Sequence, residues 1–411
     1  MKMNIWSDCK KLPLTEVLSF IVDNRGKTVP TTTSGHILIA TNCIKNDRLY
    51  PCYEKIRFLS EDTYQSFFRS HPIPGDILFV CKGTPGRCAL VPDPIDFCIA
   101  QDMVGLRANK SIIDNKYLLA VLRSYEIQKF IYNTSVGDVI PHFKKQFFNK
   151  LLIPVPPMEL QTKIGAFYYS ISQKIENNNK INANLEAQAE ALFKSWFVDF
   201  TPFKDQPFVD SELGPIPQGW KVGKLGDIGE IVGGSTPSKS KPEYYTTHGI
   251  AWLTPKDLST SKAKFTSRGE IDITDEGYNS TSTKLMPRGS VLFSSRAPIG
   301  YLTIAKNEIC TNQGFKSLVP NGAGTGFIYY TLRHLTPQIE NRATGSTFKE
   351  ASATLMRSVE TIVPPTSILN KFEELLRPIL QFQEKKEEEN QRLAALRDTL
   401  LPKLMSGEIK L

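Results

Sequence analysis

Groups able to break or transfer a bond are few in this chain, and they do not stand at the spacings that such chemistry needs. The five histidines are scattered and form no HExxH pair, so two imidazoles are not set on one helix face for a metal. The seven cysteines (Cys9, Cys43, Cys52, Cys81, Cys88, Cys98, Cys310) are odd in number and contain no CxxC. That argues against a disulfide framework and against a zinc site, and no metal is expected. The proline pairs 156–157 and 364–365 lack the preceding Asn or Asp of an adenine methyltransferase's catalytic signature. Pro92-Asp93 has no Glu-x-Lys partner at strand spacing, so it reads as a surface turn rather than a nuclease acid. The glycine-rich run 321–326 precedes a helix and could in principle cradle a phosphate. No Lys-Ser/Thr follows it, and the matching loop 109–115 has no glycine, so a plain turn is the expectation. No Ser-His-Asp or Cys-His arrangement is visible at the spacing of the sequence.

The basic loops have more to offer. In the second half, Ser235, Thr236, Lys239 and Lys241 lie in one Gly/Ser/Lys stretch, with Lys256, Arg296, Gln313 and Lys349 in three others and in a Thr-Asn-Gln-Gly segment. In the first half the equivalent loops carry Arg25, Lys27, Lys45, Lys82, Arg87, Gln101, Lys144 and Lys145. Ser, Thr, Lys and Arg suit phosphate contacts, and Arg and Gln can address a base edge with two hydrogen bonds. Any one such loop can equally be solvated surface. The two sets agree in place more than in residue type, as two readers of different sequences would.

The elements that must position these loops follow from a duplication. Taking every third and fourth residue gives an apolar seam at 160, 164, 167, 171, 174, 178, 181, 185, 188 and 192, and again 208 residues later from 368 to 400. This is the pattern of a helix burying one stripe against another helix. About forty residues at ~1.5 Å each make a rod of roughly 60 Å. Lys174, Asn178, Lys386 and Glu389 interrupt the seam near its middle and are expected to fix its register. The rod ends are apolar beyond the seam, at Phe193, Trp196, Phe197, Leu401 and Leu404, which either pack on the chain's own blocks or receive a partner. Pro378 is expected to kink the second rod and Pro402 to end it. Strand-like segments, helix starts and single glycines recur in the same order in both halves, so the chain is a doubled block-plus-rod. The fold expected is α/β (α+β), with two globular domains joined by an antiparallel pair of long coiled-coil helices in pseudo-twofold symmetry. The boundaries expected are 1–157, a helix 158–200, a linker 201–220, a second block 221–365, and a helix with tail 366–411.

Charge supports a polyanionic partner without proving one. The net charge of +8 resides on the blocks: residues 1–157 carry 20 basic against 14 acidic side chains and 201–365 carry 18 against 15. The helical stretches are close to neutral, with 4 against 5 and 7 against 7. No secretory segment and no membrane-length apolar run is present, so a reduced, cytoplasmic protein is expected.

Three stretches resemble the specificity subunits of Type I restriction–modification systems. They are 191–200 (ALFKSWFVDF), 214–220 (GPIPQGW) and 400–409 (LLPKLMSGEI). Together with the duplication, the resemblance covers the whole chain. One departure is the start of the first block, which has Ile5-Trp6-Ser7-Asp8 where the second has a Pro-x-Gly-Trp motif. The resemblance implies two target-recognition domains, each reading half of a gapped, bipartite sequence in double-stranded DNA. It implies paired helices that set the gap and dock methyltransferase subunits, two being expected. Restriction subunits would join the full complex. The family's subunit carries no catalytic centre, so this chain is expected to be non-catalytic and to need no cofactor of its own, with S-adenosylmethionine on the methyltransferase partner. Two rivals are a coiled-coil scaffold with protein-binding blocks and a self-contained DNA-modifying enzyme.

Overall fold

A computed structural model describes residues 4–409 except 25–26, 138, 262 and 346–348. The chain divides into two compact units. One comprises 1–180 with 389–411, the other 181–388. Each unit therefore contains one block and part of both long helices, Met158–Phe197 and Thr366–Met405.

In the first unit, four strands form an antiparallel sheet in the order Leu18–Val22, Met103–Ala108, Ile77–Val80, Cys88–Leu90. The second unit repeats this order with Gly229–Gly233, Lys316–Pro320, Val291–Ser295 and Ile299–Ala305, and adds Phe265–Thr266 at the edge. A parallel strand pair recurs as His36–Ile39 with Phe97–Ile99 and as Trp252–Leu253 with Cys310–Thr311. A two-stranded ribbon closes each block: Lys10–Pro13 with Leu152–Val155, and Lys221–Lys224 with Glu360–Val363. The central strands Ile77–Val80 and Val291–Ser295 are buried at every position because both faces are covered. Ile77 and Phe79 enter one core cluster while Leu78 and Val80 enter another. Val291 and Phe293 are separated from Leu292 in the same way, as the two-residue period of a strand demands.

Within each unit the segments of the two long helices run antiparallel. In the first, Tyr168 lies under Arg397, Lys174 pairs with Glu389 at 3.4 Å, and Asn178 donates to Asn390 at 2.9 Å. In the second, Gln383 donates to the Asn182 carbonyl and Phe193 packs edge-on against Phe372. The polar positions at 174, 178 and 389 thus make register-fixing contacts.

The seam itself needs correcting. Ile164 and Phe372 are buried as expected, but Leu375 is 51% exposed and Phe382 45% exposed. The buried line runs instead through 161, 164, 168, 172 and 175, and through 369, 372, 376, 380 and 383. A helix that packs on both a partner helix and a block buries a wide stripe, and periodicity alone does not locate its centre. Pro378 does not divide the second long helix, which also runs past Pro402 to Met405. The carbonyl that Pro378 deprives of a partner belongs to Glu374, which is exposed and open to water.

The helices dock on the blocks through a carboxylate that changes sides. In the first unit Asp114, on the block, caps the helix Asn115–Leu122 by accepting from Tyr117 N at 2.9 Å. Gly165 of the long helix lies so close that an added Cβ would stand 2.6 Å from that nitrogen. The position 208 residues on is Glu373, which supplies the carboxylate from the long helix and accepts from Phe327 N at 2.7 Å. Here the block yields space: a Cβ on Gly324 would stand 2.0 Å from Glu373 Cδ, and one on Gly326 2.2 Å from Leu376. The glycine run is therefore no phosphate cradle, because a protein carboxylate already occupies the start of the helix Thr325–Arg342.

Burial raises the Glu373 carboxyl above its ordinary 4.5, against the opposing pull of the Phe327 and Gly326 amides and Arg377. The folded state then holds this proton more tightly than the unfolded state. The group's contribution is greatest below pH 4.5 and declines as pH rises through the folded value. Glu373→Ala is expected to cost about 1–3 kcal/mol by leaving amides unpaired. Glu373→Gln, which keeps an acceptor, should cost less and flatten this pH dependence in urea titrations.

Candidate nucleic-acid interface

In the first unit three chain segments meet beyond the strand Ile77–Val80. Cys81 N and Lys82 N both donate to the Asp102 carbonyl, at 2.9 and 3.3 Å. Gly83 N donates to Pro141 O at 2.9 Å, and Phe143 N to Cys81 O at 2.8 Å. Val136 and His142 exchange hydrogen bonds at 3.0 and 2.8 Å, closing a hairpin between them. Lys145 forms an ion pair with Asp23, which ties in the segment leading to Lys27. Lys27, Lys82, Lys144 and Lys145 are exposed, and Gln101 is half-buried beside Asp102. Arg25 lies outside the described residues.

His142 stands inside this basic group. Burial pushes its imidazole below the ordinary 6.5, and the charges of Lys82, Lys144 and Lys145 push the same way against Asp102. It is accordingly neutral near pH 7, a donor and acceptor rather than a cation. Lys45 and Arg87 are not part of the group. Lys45 is paired with Glu54, and both flank a separate contact in which Asn46 accepts from Cys88 N at 2.9 Å.

The second unit assembles the equivalent segments with the same backbone logic. Ser295 N donates to Gly314 O at 2.8 Å and Ala351 N to Ser295 O at 2.9 Å. Thr344 and Glu350 exchange hydrogen bonds, as Val136 and His142 do. Ser235 N donates to Thr311 O at 2.9 Å, and the Thr236 hydroxyl donates to Gln313. Ser235, Thr236, Arg296 and Gln313 are thereby gathered, and exposed Lys349 follows on the 344–350 loop. Glu350 holds Arg296 at 3.5 Å and Lys316 at 3.4 Å. Lys239 and Lys241 lie on the neighbouring turn, where Lys241 donates to the Tyr244 hydroxyl at 2.9 Å. Lys256 is apart from them and paired with Glu270 at 3.0 Å.

Lys316, Glu350 and His142 are not evident from the sequence. Their roles arise from bridges between loops far apart in the chain, which local composition does not encode. The apolar rod ends are covered by the chain's own blocks, one of the two roles left open for them. Phe193 and Phe197 lie within the second unit's core with Phe327 and Phe372, and Trp196 packs edge-on against Phe203. Leu401 and Leu404 are buried in the first unit.

The chemistry open to these groups is contact with polyanions. Burial pushes the Cys81, Cys88, Cys98 and Cys310 thiols up to about 12, which removes them as nucleophiles near neutral pH. Among the described residues no set of three or more His, Cys, Asp or Glu side chains is placed to hold a metal ion. No described helix is long and apolar enough to cross a membrane.

Comparison with known proteins agrees with this picture. A family model described as "Type I restriction modification DNA specificity domain" matches residues 29–187 and again 217–393. The MjaIX specificity subunit of Methanocaldococcus jannaschii is 38% identical over 179 residues, a stretch covering 41% of this chain and 41% of that relative. The HindI specificity subunit of Haemophilus influenzae is 26% identical over 400 residues, covering 82% of this chain and 86% of its own. The crystal structure of the S subunit of a type I restriction–modification system from M. genitalium shares the fold. It has a TM-score of 0.55 and 14% identity, with 98% of each chain covered.

Replacing Lys144 and Lys145 together by alanine should weaken binding to duplexes of every sequence about equally. It should also lower the slope of log K against log salt by roughly 0.9 for each phosphate that is no longer neutralised. Fluorescence-anisotropy titrations between about 50 and 200 mM salt provide the measurement, and a slope equal to the parent's would remove both lysines from the interface.

Proposed function

The chain belongs to the Type I restriction–modification DNA specificity family, and from that premise we propose that its two units each read one half of a gapped, bipartite site in double-stranded DNA. The observation that carries this is the repetition of one strand order and one set of loop bridges with different side chains at the tips. Where the first unit offers Lys82, Gln101, His142, Lys144 and Lys145, the second offers Ser235, Thr236, Arg296, Gln313 and Lys349. Equal scaffolds with unequal tips suit two different half-sites.

The long helices act in this reading as the spacer. A helix of about forty residues is roughly 60 Å long against a DNA turn of ~34 Å, so a spacer of this kind would leave bases between two half-sites unread. The chain serves a methyltransferase partner that carries S-adenosylmethionine and flips the target base, and restriction subunits complete the assembly. Two methyltransferase subunits suit the doubled plan. Leu375 and Phe382, seven residues apart and exposed on one helix face of the second unit, are a suitable docking surface.

Deleting the matched heptads 177–183 and 385–391 removes about 10 Å of helix, equivalent to about three base pairs. Binding to a series of duplexes with systematically varied gaps should then shift its optimum to a shorter gap while both half-sites stay the same. An optimum that does not move would contradict the spacer role.

A further inference from the structure

The first unit carries an apolar projection in the middle of its basic group. Val136, Val139 and Ile140 are all exposed and fall within five residues of one another. Val139 is 92% exposed and Ile140 54% exposed. Both lie within the hairpin closed by the Val136–His142 pair, whose Pro141 carbonyl accepts from Gly83 beside Lys82. Lys82, Lys144 and Lys145 stand near His142 at its base, so the hairpin emerges from a positively charged surround. Water gains nothing from such an arrangement, and an apolar protein partner would not select the lysines. A duplex satisfies both: phosphates face the lysines, and the one apolar group on a major-groove base edge is the thymine 5-methyl.

The second unit differs at this place. Thr344, Gly345 and Lys349 are exposed on its equivalent loop, and Arg296 is held there by Glu350. The contrast gives the first unit a readout that the second lacks among its described residues.

We propose that Val139 and Ile140 are specificity-determining residues that read thymine in the first unit's half-site by apolar contact with its 5-methyl group. This rests on the DNA-reading function above. The chain, assembled with its methyltransferase subunits, is used to select a consensus from random duplexes. Each thymine of that consensus is then replaced singly by deoxyuridine, which removes only the methyl.

At one or more thymines of a single half-site, the parent should lose about fourfold in affinity, the value of one buried methyl-sized group. The variant V139A/I140A should bind thymine and deoxyuridine duplexes equally there, with its salt dependence unchanged. V139T, which keeps the shape and adds a hydroxyl to an exposed position, should fold as the parent does and discriminate less. The proposal is overturned if every deoxyuridine is silent in the parent, or if V139A/I140A keeps the full discrimination. It is also overturned if the variant fails to assemble with methyltransferase subunits, since the hairpin would then be a protein contact. Failure to select any consensus would overturn the DNA-reading function itself, and the inference with it.

Discussion

A polar group sealed inside a protein must meet its partner or forfeit roughly 1–3 kcal/mol, and that constraint holds the long helices in place. Apolar stripes alone would let two helices slide by a turn at little cost. Asn178 is fully buried and finds Asn390, while Asn390 in turn donates to Asn179 at 2.9 Å. In the second unit the Lys264 ammonium is buried against Glu186, the Tyr330 hydroxyl at 2.7 Å and Gln383 at 2.9 Å. Burial works to raise the Glu186 carboxyl, yet the charge and hydrogen bond of Lys264 hold it below its ordinary value. Each network favours this register, because a slipped helix would part Asn178 from Asn390 and Gln383 from Lys264.

The same constraint explains how the duplication diverged without losing its plan. A helix start directed at a long helix needs an acceptor for its third amide, and the acceptor can come from either side. Asp114 with Gly165 is one solution, and Glu373 with Gly324 and Gly326 is its exchange. In both, one partner gives up its side chain so that the other can bring a carboxylate. The tips of the loops carry no such obligation, so they were free to become unlike. That division between constrained docking and unconstrained tips suits the reading of two different half-sites proposed above.

Much of the architecture is legible in the sequence because it rests on period and repetition. The repeated order of strand-like segments in the two halves agrees with the sheet order that the two units share. The polar positions 174, 178 and 389 are recognisable as register contacts from their place in the seam, although their partners are not. The face of each long helix is less legible. Leu375 and Phe382 satisfy an apolar heptad yet stand exposed, since the spacing cannot say which edge of a wide stripe the block covers. Which basic loops converge is legible only in part. Lys82, Lys144 and Lys145 come together through backbone bridges between segments far apart in the chain, whereas Lys45 and Lys256 are drawn away by Glu54 and Glu270.

The account stands on two unlike grips acting at a set distance on one duplex. Sequencing of methylated bases in a host that carries this chain, against the same host without it, tests that most directly. The account predicts one motif that depends on the chain, with two short defined arms around a run of constant length in which any base is accepted. A single uninterrupted motif, a run of variable length, or methylation that does not depend on the chain would contradict it.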